Sequence, residues 1–334
     1  MATPHDALFK AVFAAPNDAA DLIRPLLPAP LAAAIDWSSL VLVPGSFIDD
    51  ALRQTHADLL FEVRIRGRRA LLYLLAEHKS RGDRFTSLQL LGYELAIWTQ
   101  WRKDHPRARR LPPIVPIVVH HGRRPWRAPT SLLPLFDLRG LEPDAARALA
   151  ALQPAFAFSL DDVSRCDDAS LRGRDASPLA QLALASLRTM RGASVQATLA
   201  AIEAWLDVVA RALATPGGGE RMDVLWSYVL AVSKVTDAQL RATVRPAGPL
   251  AEESVMSTAK RLHAKGKAEG KAEGKAEGKA EGRAELLLRL LDARFGPLPI
   301  AVVARVHAAP TVDLERWAIA VLTAPTLAAV FAAG

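Results

Sequence analysis

Asp58, Glu77 and Lys79 are the side chains whose types and spacing point to chemistry. They lie in two runs that read as strands, HADLLFEV at 56–63 and ALLYLLAEHK at 70–79. Side chains alternate faces along a strand, so Glu77 and Lys79 point the same way. A hairpin between the two runs brings Asp58 alongside. Two carboxylates and an ammonium converging at a sheet edge are costly unless they hold a cation. Carboxylates plus water suit Mg2+, which keeps several waters and takes one or two carboxylates. Such an ion polarises a phosphate and activates a water. A nearby Lys orients or deprotonates that water and offsets charge on the phosphate. On spacing alone, an ordinary solvated strand end stays open as the alternative.

Lysine usage sharpens the pattern. Of 42 basic residues, 32 are Arg and 10 are Lys, and six of the lysines lie in or just before a repeat at 266–285. A chain so biased to Arg still places Lys at 79, and Lys, unlike Arg, can be tuned to lose its proton. Arg64, Arg66, Arg68 and Arg69, with Arg81 and Arg84, cluster around these residues in sequence and suit contacts to phosphates. A solvated loop surface is the other reading of that cluster. His120 and His121 are adjacent, so on a strand they face opposite ways and cannot share one metal. His5, His56 and His105 have no helical i,i+4 partner. No Gly-rich phosphate cradle of the Walker type is present.

The elements that must position these groups are legible in outline. Thr3, Pro4 and Asp6 read as N-cap, N1 and N3 of a first helix with a capping box, and Leu8, Val12 and Phe13 form its apolar face. Leu40–Val43 is a short β-rich run. RIRGRR at 64–69 connects the two strands of the hairpin, with Gly67 as turn residue. The second hairpin strand is apolar on both faces and so belongs in the middle of its sheet. Residues 85–101 have helical periodicity through Phe85, Leu88, Leu91, Leu95 and Trp98. PIVPIVVH at 113–120 reads as a buried strand in which Pro116 implies an edge or a bulge. Phe156–Leu160 reads as a last strand. From Pro178 to Val244 the text is helical, broken at Pro216–Gly219. Gly266–Glu285 is five tandem units, GKAE four times and GRAE once. Its charges never fall at favourable i,i+3 or i,i+4 spacing, and each glycine costs about 1 kcal/mol relative to alanine. The repeat therefore reads as a solvated, partly helical spacer, or as a small-residue stripe for homodimerisation.

Composition bounds the class. The 334 residues suit about two domains, and 51% apolar with 23% charged residues excludes disorder along the whole chain. The net charge is +7, and residues 1–130 carry +6 of it (18 basic, 12 acidic), so any polyanion surface belongs in the first third. A single cysteine, Cys166, excludes an internal disulfide framework and a cysteine-built zinc site. The start MATPHDALFK lacks the pattern of a signal peptide, and no run approaches 18 apolar residues. A cytoplasmic location without a membrane span is the simplest expectation.

Asp58, Glu77 and Lys79 on two strands followed by a helix resemble the PD-(D/E)xK nuclease superfamily. Gln89-Leu-Leu-Gly-Tyr93 in that helix is similar to the QhxxY motif of its RecB-type members. HDALFKAVF at 5–13, HADLLFEV, YLLAEHKS at 73–80, Ile97-Trp98 and PIVPIVVHHG at 113–122 resemble the Rpn family of recombination-promoting nucleases, also described as YhgA-like transposases. The resemblance covers residues 4–245, and LLLRLLDARFGPLP at 286–299 resembles a small helical domain often attached to that family. Ala57 stands where the superfamily name has Pro.

The resemblance implies a restriction-endonuclease-like α/β core, a mixed central sheet flanked by helices, with an all-helical C-terminal extension. The divisions are a nuclease core at 1–165, a helical extension at 166–249, the repeat at 250–285 and a small helical domain at 286–334. It implies Mg2+-dependent endonucleolytic cleavage of DNA with little sequence readout, in recombination or defence against mobile DNA, with Mn2+ as a substitute ion. Asp58 and Glu77 would bind the metal, with the His78 carbonyl as a third ligand, and Lys79 would serve the water. Gln89 and Tyr93 would contact the substrate strand or brace the site, against helix packing for Tyr93 and a solvated Gln89. Asp6 corresponds to an acidic residue of the first helix, or is only its cap. The alternative function is an inactive nuclease fold that binds DNA or self-assembles, as a homodimer through the repeat or the C-terminal helices.

Overall fold

The computed structural model describes residues 3–43, 57–77 and 83–332. Thr3 caps the first helix, α1 (Pro4–Phe13), in the expected way: its hydroxyl accepts from the Asp6 amide and the Asp6 carboxylate accepts from the Thr3 amide at 2.9 Å. Leu8, Phe9, Val12 and Phe13 are buried along one side of it. Two short helices follow, α2 (Pro16–Ile23) and α3 (Ala29–Ala34). Three antiparallel strands come next, β1 (Ile35–Leu42), β2 (Ala57–Ile65) and β3 (Arg68–Glu77). Helix α4 (Thr86–Asp104) crosses to β4 (Ile114–His120), which pairs parallel with β3. After α5 (Pro143–Ala151), β5 (Ser159–Asp162) pairs parallel with β4. The sheet is mixed, in the order β1-β2-β3-β4-β5, and β3 is its middle strand.

The β2–β3 turn is tighter than the sequence suggests. Ladder pairing runs to Ile65 opposite Arg68, so only Arg66 and Gly67 make the turn, at φ 46° and 77°. Two successive positive φ values match the right-handed twist of the strands, which lets pairing continue to the last residue. Pro116 lies in β4, which has neighbours on both sides. β5 joins only from Ile117 onward, so at Pro116 itself β4 is paired on one side alone, opposite Tyr73. The missing N–H is tolerated there as it would be at an edge.

Each face of the sheet has its own apolar layer, as alternation along a strand requires. Phe61, Val63, Leu72, Ile117 and Val119 pack with Phe9 and Phe13 of α1. The same layer takes in the helical extension: α6 (Asp168–Arg172), α7 (Pro178–Thr189), α8 (Val195–Glu203), α9 (Leu206–Leu213), α10 (Gly218–Val232) and α11 (Asp237–Val244). Leu60, Leu71 and Val118 face the other way, onto Leu90 and Ile97 of α4. The α4 helix forms as expected, but the side it buries is Leu90, Glu94, Ile97 and Trp101. Phe85, Leu88 and Leu95 of the expected stripe are exposed.

Helix α12 spans Pro249–Phe295 and includes the whole repeat. The repeat glycines meet nothing near their Cα positions, so packing does not hold them in the helix. The helix reaches them by propagation from better-forming turns at either end, which avoids a separate nucleation cost. The chain divides into two compact units, residues 1–259 and 260–334. The second buries Leu287, Leu291, Trp317 and Val321 among α12 and three further helices, α13 (Ile300–His307), α14 (Thr311–Thr323) and α15 (Leu327–Ala332).

A Cβ on Gly67 would touch nothing within 4 Å. Gly67→Ala therefore costs only backbone strain, about 1–2 kcal/mol. Urea unfolding should show that loss, with the denaturant slope unchanged.

Candidate active site

The β2–β3 register places Asp58 opposite Leu75, and Glu77 lies two residues further along β3. Positions 58, 75 and 77 have one parity and share the face that α4 covers. Diagonal neighbours of this kind lie about 7–8 Å apart. Positions 58 and 77 thus lie on adjoining strands, diagonal to one another in the ladder. His78, Lys79 and Arg81 lie outside the described residues.

On the other side of β3, Glu77 pairs with His120 at the end of β4. His120 is fully buried, and its ring meets the edge of Trp126 at 5.2 Å. Its Nε2 donates to the Arg124 carbonyl at 2.8 Å, which leaves Nδ1 as the lone-pair nitrogen. Nδ1 is buried, with no hydrogen-bond partner among the described residues. Asp162 of β5 accepts from the Trp126 amide at 2.8 Å and so pins the indole over the histidine.

Helix α4 runs back along the sheet. Its C-terminal end meets the hairpin, where Trp101 stacks on His105 at 4.4 Å and His105 meets Arg69 at 3.2 Å. Gln89 and Tyr93 lie in its first two turns, and Arg84 just precedes it. The Gln89 amide donates to the Tyr93 hydroxyl, and Tyr93 packs on the α4-side apolar layer. The bond joins one turn of α4 to the next and holds the two side chains together.

The arginines that cluster in sequence separate in space. Arg84 is exposed beside the first turn of α4. Arg64, Arg66, Arg68 and Arg69 are exposed at the opposite, turn end of the hairpin. Six residues of strand separate Asp58 from Arg64, which is about 20 Å. Arg69 is engaged there with Glu62 at 2.8 Å. A cavity of about 610 Å³ at that end is lined by Val41, Glu62, Arg64, Arg69 and Trp101 among others. The sequence clustering misleads because the strands carry these residues away from the carboxylate end.

Asp6 is buried and makes the capping box. Beside it, His5 Nδ1 lies 2.9 Å from the Tyr228 hydroxyl of α10, and the His5 and His121 rings are 6.0 Å apart. His121 thus faces α1 while His120 faces Trp126, the opposite orientations that adjacency on a strand predicts. No sequence spacing could have paired His5 with Tyr228, which are 223 positions apart. Glu94 also escaped the sequence reading. Its signal was a carboxylate interrupting the Leu90–Ile97–Trp101 stripe, visible only once that stripe is known to be the buried one.

The fold is a mixed five-stranded sheet flanked by helices. The chain belongs to the family described as "Putative transposase, YhgA-like", whose model matches residues 3–212. It is 38% identical over 127 residues to recombination-promoting nuclease RpnD of Escherichia coli O157:H7, covering 37% of this chain and 48% of RpnD. It is 34% identical over 169 residues to recombination-promoting nuclease RpnA of Escherichia coli K12, covering 50% of this chain and 54% of RpnA. The chain therefore spans about half the length of these two relatives. A longer match, 25% identical over 266 residues, is to the inactive recombination-promoting nuclease-like protein RpnE of Escherichia coli K12, covering 79% of this chain and 83% of RpnE. No solved structure matches the chain.

Glu94 is 4% exposed and its Oε1 has no hydrogen-bond partner among the described residues. Burial pushes its carboxyl from 4.5 up to about 7. The folded protein holds this proton more tightly than the unfolded chain does. The associated stability is present below pH 4.5 and is lost as pH rises to 7, on the order of 3 kcal/mol. Glu94→Gln removes that loss. Thermal unfolding should show the variant several degrees more stable than wild type at pH 8, with the gap closing by pH 4.5.

Proposed function

We propose that the chain is a metal-dependent nuclease that hydrolyses DNA phosphodiester bonds with little sequence preference, in recombination or defence against mobile DNA. The observation that carries the reading is the register that sets positions 58 and 77 diagonal to one another on adjoining strands. The identity with RpnD and RpnA, both named nucleases, supports it. Asp58 and Glu77 bring carboxylate oxygens, the donors that hard cations such as Mg2+ and Mn2+ take. Asp58 and Glu77 would hold the ion, with the His78 carbonyl as a third donor. When bound, Mg2+ supplies polarisation of the phosphate and a more acidic water.

The remaining roles fall to the chain's own groups. Lys79 holds the attacking water and offsets charge on the phosphate. Gln89 and Tyr93 brace the strand being cut. Arg84, with Arg81, contacts phosphate next to the cut, and the Arg64–Arg69 group engages phosphates about 20 Å away along the bound DNA. Asp6 supports the site from α1. The partner is DNA; homodimerisation through the repeat or the C-terminal helices remains part of the proposal. Among the described residues no helix is long and apolar enough to cross a membrane. The match to RpnE favours one second reading, an inactive nuclease fold that binds DNA or self-assembles.

Plasmid nicking separates the two. Wild type should convert supercoiled DNA to open circles with Mg2+ or Mn2+ and not with EDTA. Asp58→Ala and Lys79→Ala should each lower the rate at least about 100-fold. Metal-independent cutting, or cutting unchanged in Asp58→Ala, would falsify the nuclease reading.

A further inference from the structure

The cavity at the turn end of the hairpin, about 610 Å³, has the size of a ligand site. Its floor is the α4-side face of β1, β2 and β3. Glu62 and Arg64 have the parity of Leu60, Arg69 has that of Leu71, and Val41 pairs with Glu62. Trp101 and His105, stacked on each other, form the wall that α4 supplies. The surface of the cavity is mainly apolar, from Val41, Val43, Leu71 and Trp101 among others. Val41 is 60% exposed, so that wall is open to solvent.

The charges in this cavity suit an anion. Arg64 lies directly opposite Arg69 across the β2–β3 ladder. Like charges so placed weaken a strand pair. Glu62 offsets one of them, accepting from Arg69 Nε at 2.8 Å. His105 lies with Nε2 3.2 Å from Arg69 Nη1 and with Nδ1 3.0 Å from the Trp101 carbonyl. A carbonyl only accepts, so Nδ1 carries the hydrogen and Nε2 accepts from Arg69. His105 is neutral in this arrangement, and Arg69 is fixed from two sides. Arg64 is exposed and has no ion pair among the described residues. One carboxylate against two guanidiniums leaves a single positive charge in excess.

That excess matches a phosphodiester, which carries one negative charge. The terminal phosphate of a free nucleotide carries nearly two. A phosphate alone is much smaller than the cavity, and the apolar surface beside the arginines suits a planar base. Bases of a duplex are stacked out of reach, and a base enters a pocket from a single strand or after leaving the stack. Every base has a flat face, so such a recess reads no particular sequence.

We propose that this cavity seats one unpaired nucleotide of a DNA strand, its phosphodiester between Arg64 and Arg69 and its base against Val41, Val43 and Leu71. The favoured substrate then carries a single-stranded stretch, with the seated nucleotide about 20 Å from position 58. The choice of occupant rests on the nuclease reading.

Full-length wild type, Arg64→Ala and Val41→Gln are compared in EDTA, where binding is read apart from cutting. Fluorescence anisotropy follows a thymidine octamer and an abasic octamer of equal charge. Both substituted side chains are exposed, so the variants should melt within a few degrees of wild type. Wild type should bind the thymidine octamer about tenfold more tightly than the abasic one. Val41→Gln puts a longer, polar side chain beside the base, and should cut that ratio to about twofold. Arg64→Ala should weaken both octamers and lower the salt slope by about 0.7. Free thymidine monophosphate should displace the octamer only at about a hundredfold excess or more. The inference is overturned alone if wild type nicks plasmid with Mg2+ yet binds both octamers equally. An unchanged ratio in Val41→Gln overturns it too, because the base then sits elsewhere. An unchanged salt slope in Arg64→Ala does the same for the phosphate. Displacement by the monophosphate at the octamer's own concentration overturns the strand as occupant. A wild type that neither nicks plasmid nor binds either octamer removes the nuclease reading as well.

Discussion

Hydrogen bonding along both edges of β3 is the constraint from which the rest of the core follows. β3 pairs antiparallel with β2 and parallel with β4, so one strand sets the register of two neighbours at once. A slip of one residue on either side would turn Leu60, Leu71 and Val118 out of the α4 layer and break the alternation that both apolar layers need. The same register carries Asp58, Glu77 and His120 to one end and one face. Positions that could do chemistry are thus held by the packing of residues that do none.

The parallel pairing also sets the placement of α4. A parallel neighbour requires a crossover, and the crossover helix must run back along the sheet to return the chain to the start of β4. Gln89 and Tyr93 are bonded to each other in its first turns, while His105, stacked on Trp101, meets Arg69 of the hairpin at the other end. In the α4 layer, Glu94 and His120 each keep a buried atom with no partner among the described residues, in mostly apolar surroundings. Most buried polar atoms in folded proteins are satisfied, and exceptions are where strain or function is stored.

Particular residues show how much of this could be read in advance. The α1 cap was legible because Thr3, Pro4 and Asp6 act within one turn. The hairpin was legible because alternation and Gly67 are local signals, and the central place of β3 because both of its faces are apolar. The Gln89–Tyr93 bond follows from i,i+4 spacing. The side of α4 that is buried was not legible: apolar residues lie on two sides of that helix, and Glu94 sits on the side that packs. The arginine cluster was misplaced for a related reason, since neighbours in sequence become distant when strands extend. The repeat shows the reverse effect, for its own propensity is poor and its helix is inherited from the turns on either side.

The amino-acid sequence alone determined what acts over a few residues: the caps, the turn, the alternation of the strands, the helical periods and the pairing of acidic and basic types on particular strands. The tertiary structure decided which of those residues meet. It set β4 beside β3 so that His120 faces the Glu77 position, chose the buried side of α4, and brought Tyr228 to His5. These outcomes depend on layer packing and strand register, which sum weak contacts over the whole core. No single stretch of chain contains the information that selects among them.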